Sequence, residues 1–143
     1  QAADTLETGV WSQQDKTFLN KRLKFIQTKK TAALIIASLK IGALLAGADK
    51  KSVKALEVYG LNIGIAFQIV DDILDVYADK KLLGKKGSDI DNDKLTALSL
   101  YGKDLAQIKA EQHIKKAKKA ISIFGQKAEI LNLLAGYILN RSY

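Results

Sequence analysis

Three aspartates set inside an apolar helical stretch constrain this chain more than any other feature. The segment Phe67-Gln68-Ile69-Val70-Asp71-Asp72-Ile73-Leu74-Asp75 carries no basic residue among its acids. At about 100° per residue, Gln68, Asp71, Asp72 and Asp75 fall within an arc of about 100°, and Ile69, Val70, Ile73, Leu74, Val76 and Tyr77 occupy the rest. The spacing predicts a mostly buried helix with one polar stripe. A water-facing acidic edge is one reading of that stripe. Aspartate is a poor helix former, and three of them repel one another, so a bound divalent cation is the other reading. Hard oxygen donors in this pattern suit Mg²⁺ better than zinc.

The rest of the chain favours a single helical unit over residues 1–143. That length allows one domain with a real core. Apolar residues make up 48% and charged residues 27%, which is globular composition rather than disorder. The absence of proline and cysteine favours long unkinked helices and rules out a disulfide scaffold and a thiolate metal site. The one histidine, His113, lies in a lysine-rich stretch and is expected at the surface, which leaves no basis for a histidine triad or zinc site. No apolar run is clean enough to be expected to span a bilayer. The nearest, residues 32–48, is broken by Ser38, Lys40 and Gly42. No signal peptide is visible. A start at Gln1 rather than Met suggests that an N-terminal portion precedes this sequence.

The formal net charge of +8 admits nucleic acid, an anionic surface or a phosphorylated substrate as partner. Its basic residues cluster at 21–30, 80–94 and 103–119. After a connector at the N-terminus, helical spacing returns from Asp15, a plausible cap, to Lys29 or Lys30. Residues 32–39 are small or aliphatic on all sides, which predicts a central helix. Thr31 can be read as the N-cap of that helix, or with Lys30 as part of an anion site at a helix N-terminus. The next helix runs from about Lys50 to Tyr77. Its Gly60 and Gly64 cost about 1 kcal/mol each relative to alanine, so something approaches the backbone there, either a helix or a substrate. Residues 78–94 form an irregular stretch expected to bind or cover a ligand. Its glycines lack P-loop spacing, and Asp89, Asp91 and Asp93 lack the glycine and glutamate of an EF-hand. Further helices are expected at 95–101, 103–124 and 127–140, the second being amphipathic with Leu105, Ile108, Ala110, Ile114, Ala117 and Ile121 inward.

With these pieces in place, the sequence resembles the C-terminal half of a trans-isoprenyl diphosphate synthase of the short-chain farnesyl or geranylgeranyl type, in the polyprenyl synthetase family. The matching segments are Gln1-Ala2-Ala3-Asp4, Lys30-Thr31-Ala32-Ala33-Leu34, Phe67 to Asp75, the 83–94 stretch with Gly84-Lys85, Gly87-Ser88-Asp89 and Lys94, and Gly136 to Arg141. The resemblance implies an all-α fold, the C-terminal half of an isoprenoid-synthase helical bundle. It implies that Asp71, Asp72 and Asp75 hold Mg²⁺ against the diphosphate of an allylic substrate. Lys30, Lys85 and Lys94 would contact that diphosphate. Thr31 and Gln68 would turn oxygens towards an allylic cation, and Phe67 would flank isopentenyl diphosphate.

The resemblance also implies a homodimer, with the cytoplasm as the expected compartment and a plastid or other organelle left open. The family's first aspartate-rich motif is absent from this sequence, the 84–89 loop is one residue short, and Leu95-Thr96-Ala97-Leu98 replaces the usual Ser-Thr-Tyr-Pro. Half a site is therefore expected, completed by a missing N-terminal half or by another chain. A non-catalytic helical subunit that partners a catalytic chain is a competing reading. A basic nucleic-acid-binding module is a third, disfavoured because stacking aromatics are sparse and no recognition motif is present.

Overall fold

The computed structural model describes residues 15–82 and 95–141, and the side chains of all of these except 77–82. Every regular element in them is helical: α1 (Lys16–Gln27), a π-turn (Thr28–Ala32), α2 (Ala33–Leu45), α3 (Lys50–Leu82), α4 (Ala97–Tyr101), α5 (Lys103–Ile121), a 3₁₀ segment (Ser122–Ala128) and α6 (Glu129–Asn140). The expected all-α class is what the chain adopts.

The axis is α3, 33 residues and about 50 Å long. It buries Tyr59, Asn62, Ile63, Ile65, Ala66, Ile69 and Val70, and packs on α2, α5 and α6. Its start is capped by Asp49, whose Oδ1 accepts the Ser52 N–H at 2.7 Å. It continues past the expected end at Tyr77 to Leu82, so the first five residues of the supposed irregular stretch are helical.

Asp15 caps α1 as expected, accepting the N–H groups of Thr17 and Phe18 at 3.0 and 3.3 Å. Leu19, Leu23 and Ile26 recur at helical spacing and turn inward. At the far end of α1, Thr31 is not the start of a fresh helix. Backbone angles stay helical through Gln27 and Ala33, and the Ala33 N–H bonds back five residues to the Thr28 carbonyl. No free helix N-terminus exists there to receive an anion, because a single added residue carries α1 into α2 without a break.

The two interior glycines of α3 explain how α2 docks. A Cβ on Gly64 would lie 2.5 Å from Ala32 Cα and 2.6 Å from Ala32 Cβ; one on Gly60 would lie 2.9 Å from Leu39 Cδ1 and 3.2 Å from Ile36 Cα. A helix, rather than a substrate, makes the close approach. Among the described residues, 32–39 do not lie at the centre as expected. One face of α2 meets α3, and the opposite face has no neighbour among the described residues, leaving Leu34 73% and Leu45 84% exposed.

The expected inward face of α5 is also corrected. Its seam against α3 is Ala106, Ala110, Ile114, Ala117 and Ile121, while Leu105 and Ile108 are about half exposed. Small residues on the seam let two helix backbones come close, and the lysines other than Lys109 are exposed. His113 is not a surface residue. It lies on that seam, and its Nδ1 donates to Asn62 Oδ1 at 2.8 Å, Asn62 itself donating to the Val58 carbonyl. Burial, then the charges of Lys116, Lys109 and Lys24, push His113 down to about 4.

The last two helices begin at Lys103 and end at Asn140 as expected, and the junction between them differs. α5 stops at Ile121, and Gly125, at φ 55°, redirects the chain within the 3₁₀ segment. α6 then returns across α3, where the buried Tyr59 hydroxyl donates to the Leu131 carbonyl at 2.8 Å. Burial pushes that phenol up to about 12. By length and composition, the stretch Lys50–Val76 could cross a membrane, contrary to expectation, yet 56% of its most apolar window is buried against the other helices.

Gly64→Ala should lose about 1–3 kcal/mol of stability, since backbone stands in the way of the new methyl. Gly42→Ala, with nothing within 4 Å, should gain about 0.5–1 kcal/mol. Urea unfolding followed by circular dichroism checks both, and equal stabilities would refute the packing described. For His113, the unfolded imidazole binds its proton near pH 6.5 and the folded one near 4. Its contribution is therefore complete above about pH 6.5 and is lost as pH falls towards 4, by on the order of 3 kcal/mol at most. His113→Gln should flatten the pH dependence of the unfolding midpoint between pH 6.5 and 4.

Candidate functional site

The acid stripe of α3 faces the π-turn, α4 and the end of α6. Asp71 and Asp72 are half-buried, and Asp75, one turn further on, is exposed. The close contact at Gly64 brings Thr31 over Gln68, and its hydroxyl donates to Gln68 Oε1 at 2.9 Å. The Gln68 amide then donates to Asp72 Oδ1 at 2.9 Å, one helical turn along. The other oxygen of Asp72 accepts the backbone N–H of Ala97 at 3.1 Å. Hydroxyl, amide and carboxylate thus form one relay linking the π-turn, α3 and α4. The site is anchored by α4 because Thr96 and Ser99 close a capping box that fixes its first turn.

Burial raises Asp72 to about 6. The hydrogen bonds from Gln68 and Ala97 and the nearby charge of Lys30 pull it back only in part, and Asp71 adds a small upward push. Asp71 pairs with the Arg141 guanidinium, which reaches across from the end of α6 and lies 4.1 Å from the centre of the Phe67 ring. Arg141 also lines an apolar groove of about 440 Å³ between α2, α3 and α6, whose walls include Leu34, Leu39, Ile63, Phe67 and Ile138.

Of the expected site residues, Lys30, Thr31, Phe67, Gln68, Asp71 and Asp72 therefore gather around one face, with Asp75 at its outer edge. Lys85 and Lys94, like the Gln1 to Asp4 segment, lie outside the described residues. The three carboxylates do not converge. Among the described residues no three acidic or histidine side chains come close enough to enclose a metal. Asp71 is turned to Arg141 and Asp72 to Gln68 and Ala97. This hard-oxygen donor set fits one wall of a Mg²⁺ site, an ion that keeps much of its coordination for water and phosphate oxygens; it does not form a cage. Sequence reasoning gave no role to Arg141 or to the Ala97 N–H. An unbalanced acid stripe was the available signal for a distant cation, but nothing in the spacing says which of 23 basic residues supplies it.

Comparison with known proteins gives a consistent picture. The polyprenyl synthetase family profile matches residues 1–134. A dimethylallyltranstransferase of Fischerella ambigua is 43% identical over 122 residues, covering 85% of this chain and 35% of that protein. The farnesyl diphosphate synthase of Bacillus subtilis is 37% identical over 124 residues, covering 86% and 42% respectively. The crystal structure of a farnesyl or geranylfarnesyl diphosphate (FPP/GFPP) synthase from Zymomonas mobilis superposes with a TM-score of 0.76 at 30% identity, over 96% of this chain and 43% of that one. The chain spans less than half the length of each.

Thr31→Val removes the hydroxyl that donates to Gln68 and should cost about 1 kcal/mol of stability. In a double-mutant cycle with Gln68→Leu, the pair should show a coupling of about 0.5–1 kcal/mol. Strict additivity in urea unfolding would show that the two side chains do not interact.

Proposed function

The chain belongs to the polyprenyl synthetase family, and we propose that it forms the part of a trans-prenyltransferase that receives diphosphate, joining an allylic diphosphate to isopentenyl diphosphate. The observation that carries this reading is the joining, at Phe67 and Arg141, of an apolar groove to a face bearing Asp71, Asp72 and the charge of Lys30. An anionic head and a hydrocarbon tail fit such a junction.

In this reading Asp71, Asp72 and Asp75 would hold Mg²⁺, directly or through water. When bound, the ion supplies positive charge to the diphosphate oxygens of the allylic substrate. Lys30, with Lys85 and Lys94, binds the same diphosphate and compensates the negative charge that grows on it as the allylic C–O bond breaks. The departing diphosphate keeps the bonding electron pair and leaves an allylic cation. Thr31 Oγ and the Gln68 carbonyl keep lone pairs near that cation, and the Phe67 ring flanks isopentenyl diphosphate, where its π-face also favours positive charge. The alkene of isopentenyl diphosphate donates its π-electrons to form the new C–C bond, and loss of a proton from the adjacent carbon restores a double bond.

Residues 1–143 form one half of a larger helical domain in this reading. Support comes from apolar faces of α2 and α6 that meet none of the described residues, with Leu45 84% and Ile130 78% exposed, and from relatives more than twice as long. Patches of this kind on a folded domain mark contact surfaces. The remaining metal ligands then come from an upstream segment of the same polypeptide or from a second chain, and the assembly is a homodimer. Intact mass of the natural protein separates the two sources.

Incorporation of radiolabelled isopentenyl diphosphate by the natural full-length protein, with allylic primers and Mg²⁺, tests the reading. Asp71→Ala should lower turnover by about 100-fold or more. Turnover equal to wild type would refute the site.

A further inference from the structure

Arg141 is held like an internal ligand rather than a surface cation. It stands where α6 ends, in extended backbone at φ −69° and ψ 133°. Its side chain is 14% exposed and that of its partner Asp71 30% exposed. The guanidinium is fixed from two sides, by the Asp71 carboxylate and by the face of Phe67. Its Nε is buried with no hydrogen-bond partner among the described residues.

The consequence concerns the metal. Asp72 spends both oxygens on Gln68 and Ala97, and Asp71 Oδ1 is taken by Arg141. A divalent cation arriving alone meets one carboxylate already neutralised and a positive charge at contact distance from it. Arriving with diphosphate, it brings anionic oxygens that compensate the guanidinium. We propose that Arg141 is the built-in counter-cation of Asp71, which opposes binding of a divalent cation alone and yields the carboxylate when diphosphate accompanies the metal. Arg141 is thus a positioning residue that makes metal and diphosphate binding interdependent, and this proposal rests on the metal-diphosphate reading above.

Binding of Mn²⁺ to the natural full-length protein, followed by electron paramagnetic resonance without substrate, tests it. Arg141→Gln and Arg141→Met, the second keeping the apolar stem over Phe67, should each bind Mn²⁺ about three- to tenfold more tightly than wild type. Arg141→Lys keeps the charge and should stay within about twofold of wild type. With inorganic diphosphate present, the gain of the neutral variants should shrink to within about twofold. Unchanged or weaker Mn²⁺ binding by a neutral variant whose thermal unfolding matches wild type overturns the role of Arg141. Asp71→Asn separates the two layers of inference. If it binds Mn²⁺ as wild type does, the metal reading itself fails; if it binds weakly while the neutral Arg141 variants gain nothing, only the counter-cation proposal fails.

Discussion

At Gly64 the backbone of α3 lies against the backbone of Ala32 with no room for a methyl group. The rest of the site hangs on this contact. A hydroxyl reaches only one bond beyond its Cβ, so Thr31 can touch Gln68 only if the two helices come closer than ordinary side chains allow. Once they do, Gln68 is oriented, its amide is aimed along the helix at Asp72, and Asp72 in turn holds α4 through the Ala97 N–H. The cost of two glycines within a long helix is offset by packing that no larger residue would permit.

The acid stripe also acts as an organiser of the fold. Its carboxylates draw the π-turn through Lys30, α4 through Ala97 and α6 through Arg141, so three elements far apart in sequence converge on one turn of α3. None of these contacts is large in energy, because the pairs keep some access to water. Their value lies in direction. Tyr59 serves the opposite end of the same interface, fixing α6 at Leu131 while Arg141 fixes its terminus.

Much of this was legible in the sequence because it depended on local periodicity. The helices, the cap at Asp15 and the grouping of Gln68 with the aspartates all follow from spacing of about 3.6 residues per turn and side-chain chemistry. What escaped was set by partners far along the chain. Residues 32–39 are small or aliphatic on all sides, and periodicity cannot distinguish a helix surrounded by its own domain from one whose far side meets none of the described residues. His113 looked solvated among lysines because its neighbours in sequence are, while its place on the α5 seam is decided by Asn62, 51 residues away. The pairing of Arg141 with Asp71 spans 70 residues, and no local pattern encodes it. The π-turn was invisible for another reason. Thr28 to Ala32 has an ordinary helical composition, and the extra residue is revealed only by the hydrogen bond that skips it.

That extra residue sets the two ends of one continuous rod out of phase. Adding a residue turns everything beyond it by about 100° relative to an uninterrupted α-helix. Upstream, Leu19, Leu23 and Ile26 share one face; downstream, Ala32 and Ile36 meet the glycines of α3. A straight helix would align these faces differently and swing α2 around its own axis. A deletion that restored regular hydrogen bonding between Thr28 and Ala32 would therefore improve the helix locally and misplace everything it carries. The irregular turn works as a gear tooth, its register worth more to the molecule than the smoothness it gives up.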